Sequence, residues 1–226
     1  MRLSIIMPVL NEAANIGAAL DALAPLRGRG AELIVVDGDS SDGTAALAQP
    51  LADQVLSAPR GRASQMNAGA AAASGKVLLF LHADTRLPKN ADRLVLDELF
   101  RSPRQWGRFD LRFDAGGLLR LVAIMMNTRS RATGIATGDQ AMFMTRAAFD
   151  SVGGFPPIAL MEDVALSARL KRVSRPLCLR ARVTTSGRRW QRHGLMRTVL
   201  LMWRLRLRYF LGADPAHLAR DYGYAP

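Results

Sequence analysis

Short apolar runs alternate with amphipathic or alanine-rich segments along the first hundred residues of the chain. A continuous apolar run such as Leu33-Ile34-Val35-Val36 is typical of a strand buried between two layers of helices. The alternation therefore predicts strands and helices in turn, which is the order that a doubly wound, mainly parallel sheet requires. We predict strands over residues 3–8, 33–36, 54–57 and 76–81, and helices over residues 12–23, from about 44, and over 63–73.

The pattern continues less regularly after Pro88. Strands are predicted over residues 106–113 and 141–144, and helices over residues 92–100, 118–127 and 161–171. The sequence Gly153-Gly154-Phe155-Pro156-Pro157 predicts a rigid turn before the last of these helices. Because no internal repeat or low-complexity linker divides the chain, we expect one α/β domain over residues 1–190.

Residues 191–226 are predicted to form a basic extension, with a helix over residues 194–211. Apolar side chains cover most of the circumference of this helix, interrupted by Arg197, Arg204, Arg206 and Arg208. Such a helix either packs on the domain or lies in a bilayer interface with its arginines toward the lipid headgroups. The sequence leaves both arrangements open, and an anionic membrane surface is therefore one expected partner.

The composition is that of a folded protein from a reducing compartment. Hydrophobic residues make up 49% of the 226 residues, which is enough for a packed core. A single cysteine, Cys178, excludes an intramolecular disulfide and a cysteine-based zinc cluster. The apolar run at the N-terminus is too short for a signal peptide, and no window of about 18 apolar residues predicts a spanning helix. We expect a cytoplasmic protein, or one held peripherally on the inner face of the cell membrane.

The net charge of +12 arises from one region of the chain. Between Val164 and Ala213 there are 13 Lys and Arg residues and no Asp or Glu. The other 18 of the 31 basic residues are balanced by 19 acidic residues. A basic region of this kind can meet a diphosphate, an anionic membrane or a nucleic acid. Near-neutrality elsewhere argues against a basic face continuous across the fold, so a nucleic-acid partner is the weaker interpretation.

Two loops that carry carboxylates follow predicted strands. The first is Asp37-Gly38-Asp39-Ser40-Ser41-Asp42-Gly43-Thr44, and the second is His82-Ala83-Asp84. In an open α/β sheet, ligands bind beyond the carboxyl ends of the strands, where acidic side chains suit ribose hydroxyls and a divalent cation holding phosphates. Asp, Gly and Ser are also ordinary turn residues, so a purely structural role is the alternative. Neither a Gly-x-Gly-x-x-Gly motif nor a Walker loop follows the first strand, which disfavours a dinucleotide or P-loop site.

Further candidates lie near these loops. Asp84 is the candidate ligand for a hard divalent cation that bridges diphosphate oxygens, with His82 beside it in the same loop. Pro8 and Glu12, where the first strand ends, either frame a nucleotide base or simply lead into the next helix. Arg62 either reaches a phosphate or is an ordinary exposed residue of an alanine-rich helix.

Two clusters in the second half of the chain also carry candidate chemistry. Glu162 and Asp163 begin a predicted helix, where they either stabilise its positive end or supply the general base that transfer to a hydroxyl group needs. The run Arg188-Arg189-Trp190-Gln191-Arg192-His193 is either a solvated basic strand or loop, or a site for a departing diphosphate. In the second case His193 is a candidate metal ligand.

Taken together, and in their order along the chain, several segments resemble glycosyltransferase family 2. These are residues 8–12, 37–44, Gly61-Arg62 with Asn67-Ala68-Gly69, 82–84, 153–155 and 162–163. The resemblance covers about residues 3–190. It implies a Rossmann-like, mixed but mainly parallel sheet of the nucleotide-sugar glycosyltransferase type, with a nucleotide-binding part over about residues 1–100 and an acceptor part over about 101–190.

The resemblance also implies roles for the nucleotide-side residues. It implies that Pro8 and Glu12 contact the nucleobase and that Asp37 and Asp39 contact the nucleobase and the ribose. It also implies that Asp84 binds the metal ion. The family commonly has Asp-x-Asp where this chain has His82-Ala83-Asp84, and in this the chain is similar to a small bacterial subgroup.

On the acceptor side, the resemblance implies that Asp163 is the general base of an inverting displacement, with Glu162 beside it. Gly138-Asp139-Gln140 falls where relatives form part of the acceptor pocket. Arg188-Arg189-Trp190 is similar to an arginine-tryptophan motif of processive members, although the usual leading Gln is missing and processivity does not follow.

The sequence thus predicts an inverting glycosyltransferase. It would move a hexose from a nucleoside-diphosphate sugar, with Mn²⁺ or Mg²⁺, to a hydroxyl of a lipid-linked or small acceptor. One alternative is a sugar nucleotidyltransferase on a related fold. Such an enzyme needs a Gly-rich loop with Arg and Lys after the first strand, and this chain has Asn11-Glu12-Ala13 there. The other is a non-catalytic basic module that binds nucleic acid.

Overall fold

The structure of the protein is a computed structural model that describes residues 1–224, except for the side chain of Arg189. Its strands are β1 Leu3–Val9, β2 Glu32–Asp37, β3 Gln54–Ser57, β4 Val77–Phe80, β5 Thr85–Arg86, β6 Trp106–Phe113, β7 Phe143–Thr145 and β8 Leu177–Thr185. Its helices are α1 Ala13–Asp21, α2 Ala24–Arg27, α3 Thr44–Ala48, α4 Arg62–Ala72, α5 Ala91–Arg101, α6 Leu119–Thr133, α7 Arg146–Ser151, α8 Glu162–Val173, α9 Arg188–His193, α10 Leu195–Phe210 and α11 Pro215–Tyr222, with a 3-10 turn at Gly138–Gln140.

The strands form one mixed sheet in the order β3-β2-β1-β4-β7-β6-β8-β5. The first four strands in this order are parallel to one another. Strand β7 is antiparallel to both β4 and β6, β6 is parallel to β8, and β5 is antiparallel to β8 at the edge. The parallel half brings the carboxyl ends of β1, β2 and β4 to one edge, where α/β proteins bind ligands. The predicted mixed, mainly parallel α/β sheet is confirmed.

Helices cover both faces of the sheet, because its central strands are apolar on both sides. One buried cluster contains Leu20 and Leu79, and the cluster on the opposite face contains Met66 and Phe149. Helix α4 approaches the sheet closely at Gly69, where an added Cβ would lie 2.4 Å from Cγ2 of Ile6. Only glycine fits there, and this packing fixes the start of α4 near the carboxyl edge of the sheet.

Most predicted elements are present, with differences after residue 118. The helix predicted over residues 118–127 continues to Thr133, because Ser130 is buried and accepts a hydrogen bond from the buried Arg108. Strand β8 was not predicted. Its pairing with β6 shifts register next to Phe109, but the two-residue period of a half-buried strand is kept. Leu177, Leu179 and Val183 are buried, while the arginines at positions 180 and 182 are exposed. The basic run expected as a strand or loop is helix α9.

The C-terminal helices pack on the domain through one face. Leu205 of α10 and Leu218 of α11 are buried in a cluster with Met161 and Val164. Asp221 of α11 pairs with Arg204 and Arg208 of α10. The opposite face of α10 leaves a row of apolar side chains exposed, namely Met196, Leu200, Trp203, Leu207 and Phe210. Across residues 1–224, no helix combines the length and apolar character that crossing a membrane requires.

Candidate functional site

The Asp-rich loop after β2 holds the loop after β1 in place. Glu12 donates its backbone N–H to Oγ1 of Thr44 at 2.8 Å, and Ala13 donates to Oδ2 of Asp42 at 2.9 Å. These amides stand at the start of α1, where the helix itself provides no acceptor. A hydrogen bond from the Thr44 hydroxyl, and then the one from the Ala13 amide, hold the pKa of Asp42 below its usual range. Part of the acidic loop is therefore a scaffold that fixes the position of Glu12.

Gln65 of α4 joins the ends of the two central strands. Its buried side-chain amide donates to the carbonyl oxygens of Val9 and Val36, both at 2.8 Å. Arg62 lies three residues earlier on the same helix, and side chains at this spacing share a face. The bonds of Gln65 therefore hold the helix face that carries Arg62 against the carboxyl edge of the sheet.

A polar cavity of about 350 Å³ opens at this edge. We call it the polar cavity. Its lining comes from the loop after β1, the start of α4, the loop after β4, the end of β8 and the C-terminal segment: Pro8, Val9, Leu10, Glu12, Arg62, Gln65, His82, Ala83, Asp84, Phe113, Asp139, Thr185, Ser186, Trp190, Tyr222 and Tyr224. Four of the residues predicted for nucleotide binding, Pro8, Glu12, Arg62 and Asp84, are thus brought together.

A second cavity of about 680 Å³ adjoins the first. We call it the apolar cavity, because α6 and α10 supply Leu, Met, Val and Trp side chains to its walls. Glu162 and Asp163 line it at the start of α8. The two cavities have Arg62, His82, Asp139, Trp190 and Tyr222 in common. Asp84 in one cavity and Asp163 in the other therefore open onto a continuous site.

Asp163 is held by two backbone amides. Its Oδ2 accepts a hydrogen bond from Gly138 N–H at 2.8 Å, and its Oδ1 accepts one from Val164 N–H at 2.7 Å. Burial raises the pKa of Asp163, while these two bonds act in the opposite direction. The carboxyl group is thus fixed in orientation and is a better proton acceptor than an exposed aspartate.

Glu162 is almost fully buried beside Asp163, with 4% of its surface exposed. Burial, and then the charge of Asp163, raise the pKa of Glu162 to about 7, while Arg62 and His82 act to lower it. Two adjacent carboxyl groups in a low-dielectric site cannot both ionise freely. A proton is therefore available at Glu162 near neutral pH.

Arg62 carries the positive charge between the two cavities. Burial disfavours its charged form, but Glu162, Tyr222, Asp139 and Asp163 outweigh this and raise the pKa of Arg62. Its guanidinium also lies over the ring of Tyr224, 6.0 Å from the centroid. The charge of Arg62 therefore acts on both carboxyl groups of the apolar cavity, while its side chain also lines the polar cavity.

His82 packs on the turn that carries Asp139. An added Cβ on Gly138 would lie 2.4 Å from Cε1 of His82, so the imidazole ring covers this glycine directly. Nδ1 of His82 is 3.4 Å from Oδ1 of Asp139. Gly138 and Asp139 line the apolar cavity, and their role toward the acceptor remains a prediction. Gln140 is buried and accepts from Thr137 N–H at 3.2 Å.

The structure does not bring all predicted metal ligands together. Asp84 is exposed in the polar cavity and His82 lies in the same lining, but His193 is exposed in α9 and lines neither cavity. Among the described residues, no group of three or more His, Cys, Asp or Glu side chains is arranged to hold a metal ion.

Other predicted residues stand at the margin of the site. Asp37 is buried and accepts from Ser40 N–H at 2.9 Å, and Asp39 is exposed with a left-handed backbone, φ 70°. Neither lines the polar cavity, and their nucleotide role remains a prediction. Trp190 lines both cavities, Arg188 is exposed and donates to Ser186, and the side chain of Arg189 lies outside the described part of the structure.

Three residues of the site were missed from the sequence. Arg129 of α6 lines the apolar cavity, and Tyr222 and Tyr224 line the polar cavity. The tyrosines follow Asp214-Pro215, and Asp214 accepts a hydrogen bond from Ala216 N–H at 2.9 Å. An Asp-Pro pair is a common helix start, so this pair was a signal in the sequence from which α11 could have been predicted. No local signal marks Arg129 among the many arginines of the chain.

The fold and the site together are those of an α/β protein that binds ligands beyond the carboxyl ends of its strands. The profile of glycosyl transferase family 2 matches residues 4–151, which is more than half of the chain. The chain belongs to this family, as the resemblance implied. No match is found among curated proteins.

Solved structures of glycosyltransferases share the fold. S. aureus TarS 1–349 is 18% identical with a TM-score of 0.66, and the match covers 83% of this chain and 61% of that one. The mannosyltransferase PcManGT from Pyrobaculum calidifontis, in complex with GDP-Man and Mn²⁺, is 18% identical with a TM-score of 0.65, covering 98% of this chain and 68% of that one. Glucosyl-3-phosphoglycerate synthase from Mycobacterium tuberculosis, in complex with Mn²⁺ and UDP, is 18% identical with a TM-score of 0.61, covering 81% and 70%. The chain spans less than two thirds of TarS 1–349.

Proposed function

We propose that the protein is an inverting glycosyltransferase that moves a hexose from a nucleoside-diphosphate sugar to a hydroxyl group of a lipid-linked or small acceptor. Membership of glycosyl transferase family 2 supports the reaction class. The observation that carries the proposal is that Asp84 and Asp163 line two adjoining cavities with Arg62 between them. A donor bound near Asp84 can therefore present its sugar to an acceptor bound near Asp163.

In the proposed reaction the acceptor hydroxyl oxygen forms a bond to the anomeric carbon of the donor sugar. The bond from that carbon to the diphosphate oxygen breaks, and the nucleoside diphosphate leaves. Asp163 takes the hydroxyl proton, for which its fixed orientation and raised pKa suit it. Attack from the side opposite the leaving group inverts the configuration at the anomeric carbon.

The leaving diphosphate needs positive charge close to it. Arg62 lies at the junction of the two cavities and supplies one such charge. Arg188 and Arg189 remain predictions for this role. Trp190 is the member of that motif which lines both cavities, with its ring 5.6 Å from the ring of Phe113.

The polar cavity suits a divalent cation that the protein and the phosphates of the donor would bind together. Mg²⁺ is usually bound through one or two carboxylates together with substrate phosphates, and an exposed carboxylate such as Asp84 is suited to this. Asp84 would hold Mn²⁺ or Mg²⁺, with His82 beside it. The cation would supply charge neutralisation of the diphosphate.

Nucleotide-sugar binding tests the proposal directly. In a thermal-shift screen of UDP-, GDP-, dTDP- and CDP-sugars, we expect one nucleotide class to raise the Tm, and Mn²⁺ to increase this rise. Asp84→Asn should remove most of the Mn²⁺-dependent part, because one unit of ligand charge is lost. Asp97→Asn, on the exposed side of α5, is the matched control. No Tm change with any nucleotide sugar would contradict the proposed donor.

Peripheral attachment to an anionic membrane is also part of the proposal. It is supported by the exposed apolar row of α10, which recurs every three to four residues beside arginines such as Arg197. Replacing Leu207 and Phe210 together by Gln should lower co-sedimentation with anionic lipid vesicles by about tenfold. Replacing Leu47 and Phe100 by Gln, exposed apolar residues of α3 and α5, is the control. Equal sedimentation of the two double variants would contradict attachment through α10.

A further inference from the structure

The apolar cavity combines hydrophobic walls with two cations that burial affects, Arg62 at its junction with the polar cavity and Arg129 of α6. Its walls include Val122 and Met126 from α6 and Val199 and Met202 from α10, and its end is lined by Asp163. Hydrophobic walls with a few converging polar groups are typical of a site for a small molecule that has an apolar body. The polar groups at the end of the cavity therefore indicate what the rest of that molecule carries.

Arg129 is the second of these cations. Its Nε and Nη2 atoms are buried and have no hydrogen-bond partner among the described residues. Burial lowers the pKa of Arg129, whereas the charge of Asp163 acts to raise it. A buried guanidinium nitrogen without an acceptor is costly, and an anionic group in the cavity would satisfy it with strong charge-assisted bonds.

The position of Arg129 is fixed by its helix. Asn127 exchanges two hydrogen bonds with the backbone of Leu111 in β6, both at 2.9 Å. The buried Arg108 of β6 donates to Ser130 Oγ at 3.1 Å. These bonds attach two sides of α6 to the sheet and leave Arg129 in the lining of the apolar cavity, whereas it is not in the lining of the polar cavity.

The mouth of the apolar cavity is surrounded by exposed apolar side chains. Leu118, Leu121 and Met125 of α6 and Met196 and Trp203 of α10 line the cavity and are also 47% to 67% exposed. Exposed apolar surface of this extent marks an interaction or membrane-contact site. A long apolar chain can therefore extend from the cavity along a continuous apolar surface.

We infer that the apolar cavity holds an amphiphilic acceptor whose apolar chain lies between α6 and α10 and whose anionic group, a phosphate, pairs with Arg129. The inference rests on the proposed glycosyl transfer, since Asp163 then faces the acceptor hydroxyl. It selects the lipid-type acceptor over the small one. Its three requirements are the chain, the anion and Arg129.

Binding of short amphiphiles separates these requirements. Decyl phosphate, decanol and inorganic phosphate are titrated below their micelle concentrations, with tryptophan fluorescence as the readout, because Trp190 and Trp203 line the cavity while Trp106 is in the core. The unmodified protein should bind decyl phosphate at least about tenfold more tightly than either of the others. Arg129→Leu should remove the preference over decanol. Arg120→Leu, an exposed arginine of the same helix, should keep it.

A second pair of variants tests whether the apolar chain of the ligand contributes to binding. Met125→Gln, in the cavity lining, should weaken decyl phosphate and decanol about equally, whereas Ile124→Gln, exposed on α6 and outside the lining, should weaken neither. Equal binding of decyl phosphate and decanol by the unmodified protein would overturn the inference. An Arg129→Leu variant that keeps the preference would overturn it as well.

Nucleoside-diphosphate binding in the same variants distinguishes the two proposals. Retained UDP or GDP binding without decyl phosphate binding would remove the inferred acceptor and leave the proposed transferase. Decyl phosphate binding without binding of any nucleotide sugar would remove the transferase and leave an amphiphile site. Loss of nucleotide binding in Arg129→Leu, with decyl phosphate binding kept, would assign Arg129 to the donor and overturn the inference.

Discussion

Replacing Asp163 by Asn is expected to lower glycosyl transfer by about 100- to 10,000-fold, the range that general-base catalysis contributes. Donor binding should stay within about twofold, because Asp163 lines the apolar cavity and not the polar one. Asn keeps an oxygen that can accept the Gly138 N–H bond, so the start of α8 should be preserved. The measurement is the turnover rate together with a separate donor titration.

The dependence of activity on pH gives a second test of the role of Asp163. The charge of Asp163 is one cause of the pKa of about 7 at Glu162, so Asn at position 163 should lower the pKa of Glu162. Residual activity of Asp163→Asn should then depend on pH over a lower range than in the unmodified protein. Asp97→Asn should match the unmodified protein in rate and profile. An unimpaired Asp163→Asn variant would exclude Asp163 as the base.

Replacing Arg62 by Leu is expected to weaken nucleoside-diphosphate binding by about 10- to 100-fold, because a hydrogen bond to a charged group is worth about 1.5–3 kcal/mol. Arg62 also opposes the rise in the pKa of Glu162. Its loss should therefore move the pKa of Glu162 above about 7. For a carboxyl group this means that the deprotonated form appears only at higher pH, so the acidic limb of the activity profile should shift upward.

Two further variants locate this effect. Arg62→Lys keeps the charge and should restore most of the pH profile, while donor binding recovers only in part, because Lys lacks the planar fork of donors. Arg60→Leu removes an exposed arginine two residues earlier and should change neither quantity. If Arg62→Leu bound nucleoside diphosphates as well as the unmodified protein, the assignment of the polar cavity to the donor would fail.

Strands β1, β2 and β4 could be predicted because they are buried along their whole length and have largely apolar sequences. Strand β3 also has its predicted bounds, Gln54–Ser57, although it is only partly buried. Strand β8 was not predicted although its residues alternate, because Arg180 and Arg182 were assigned to the basic region and not to the exposed side of a strand. A continuous apolar run is therefore easier to assign than an alternation that lies within a cluster of charges.

The candidate site could also be predicted only in part. Glu12, Asp84 and Asp163 lie at strand ends and a helix start, where topology alone brings them to one edge. The position of Arg129 depends on how α6 packs on β6, where the buried Arg108 donates to Ser130, and the sequence does not distinguish Arg108 from a surface arginine. Long-range packing of this kind is absent from a local pattern.

The donor side of the site is assembled from distant parts of the polypeptide. Pro8 and Glu12 line the polar cavity together with Tyr222 and Tyr224. Loop-closure entropy makes such non-local contacts late events in folding. During synthesis the β1 end of the pocket is made first, whereas the two tyrosines are added only with α11 and the residues after it. A nascent chain can thus form the parallel strands early, while the polar cavity is complete only after Tyr224 has been synthesised and has packed.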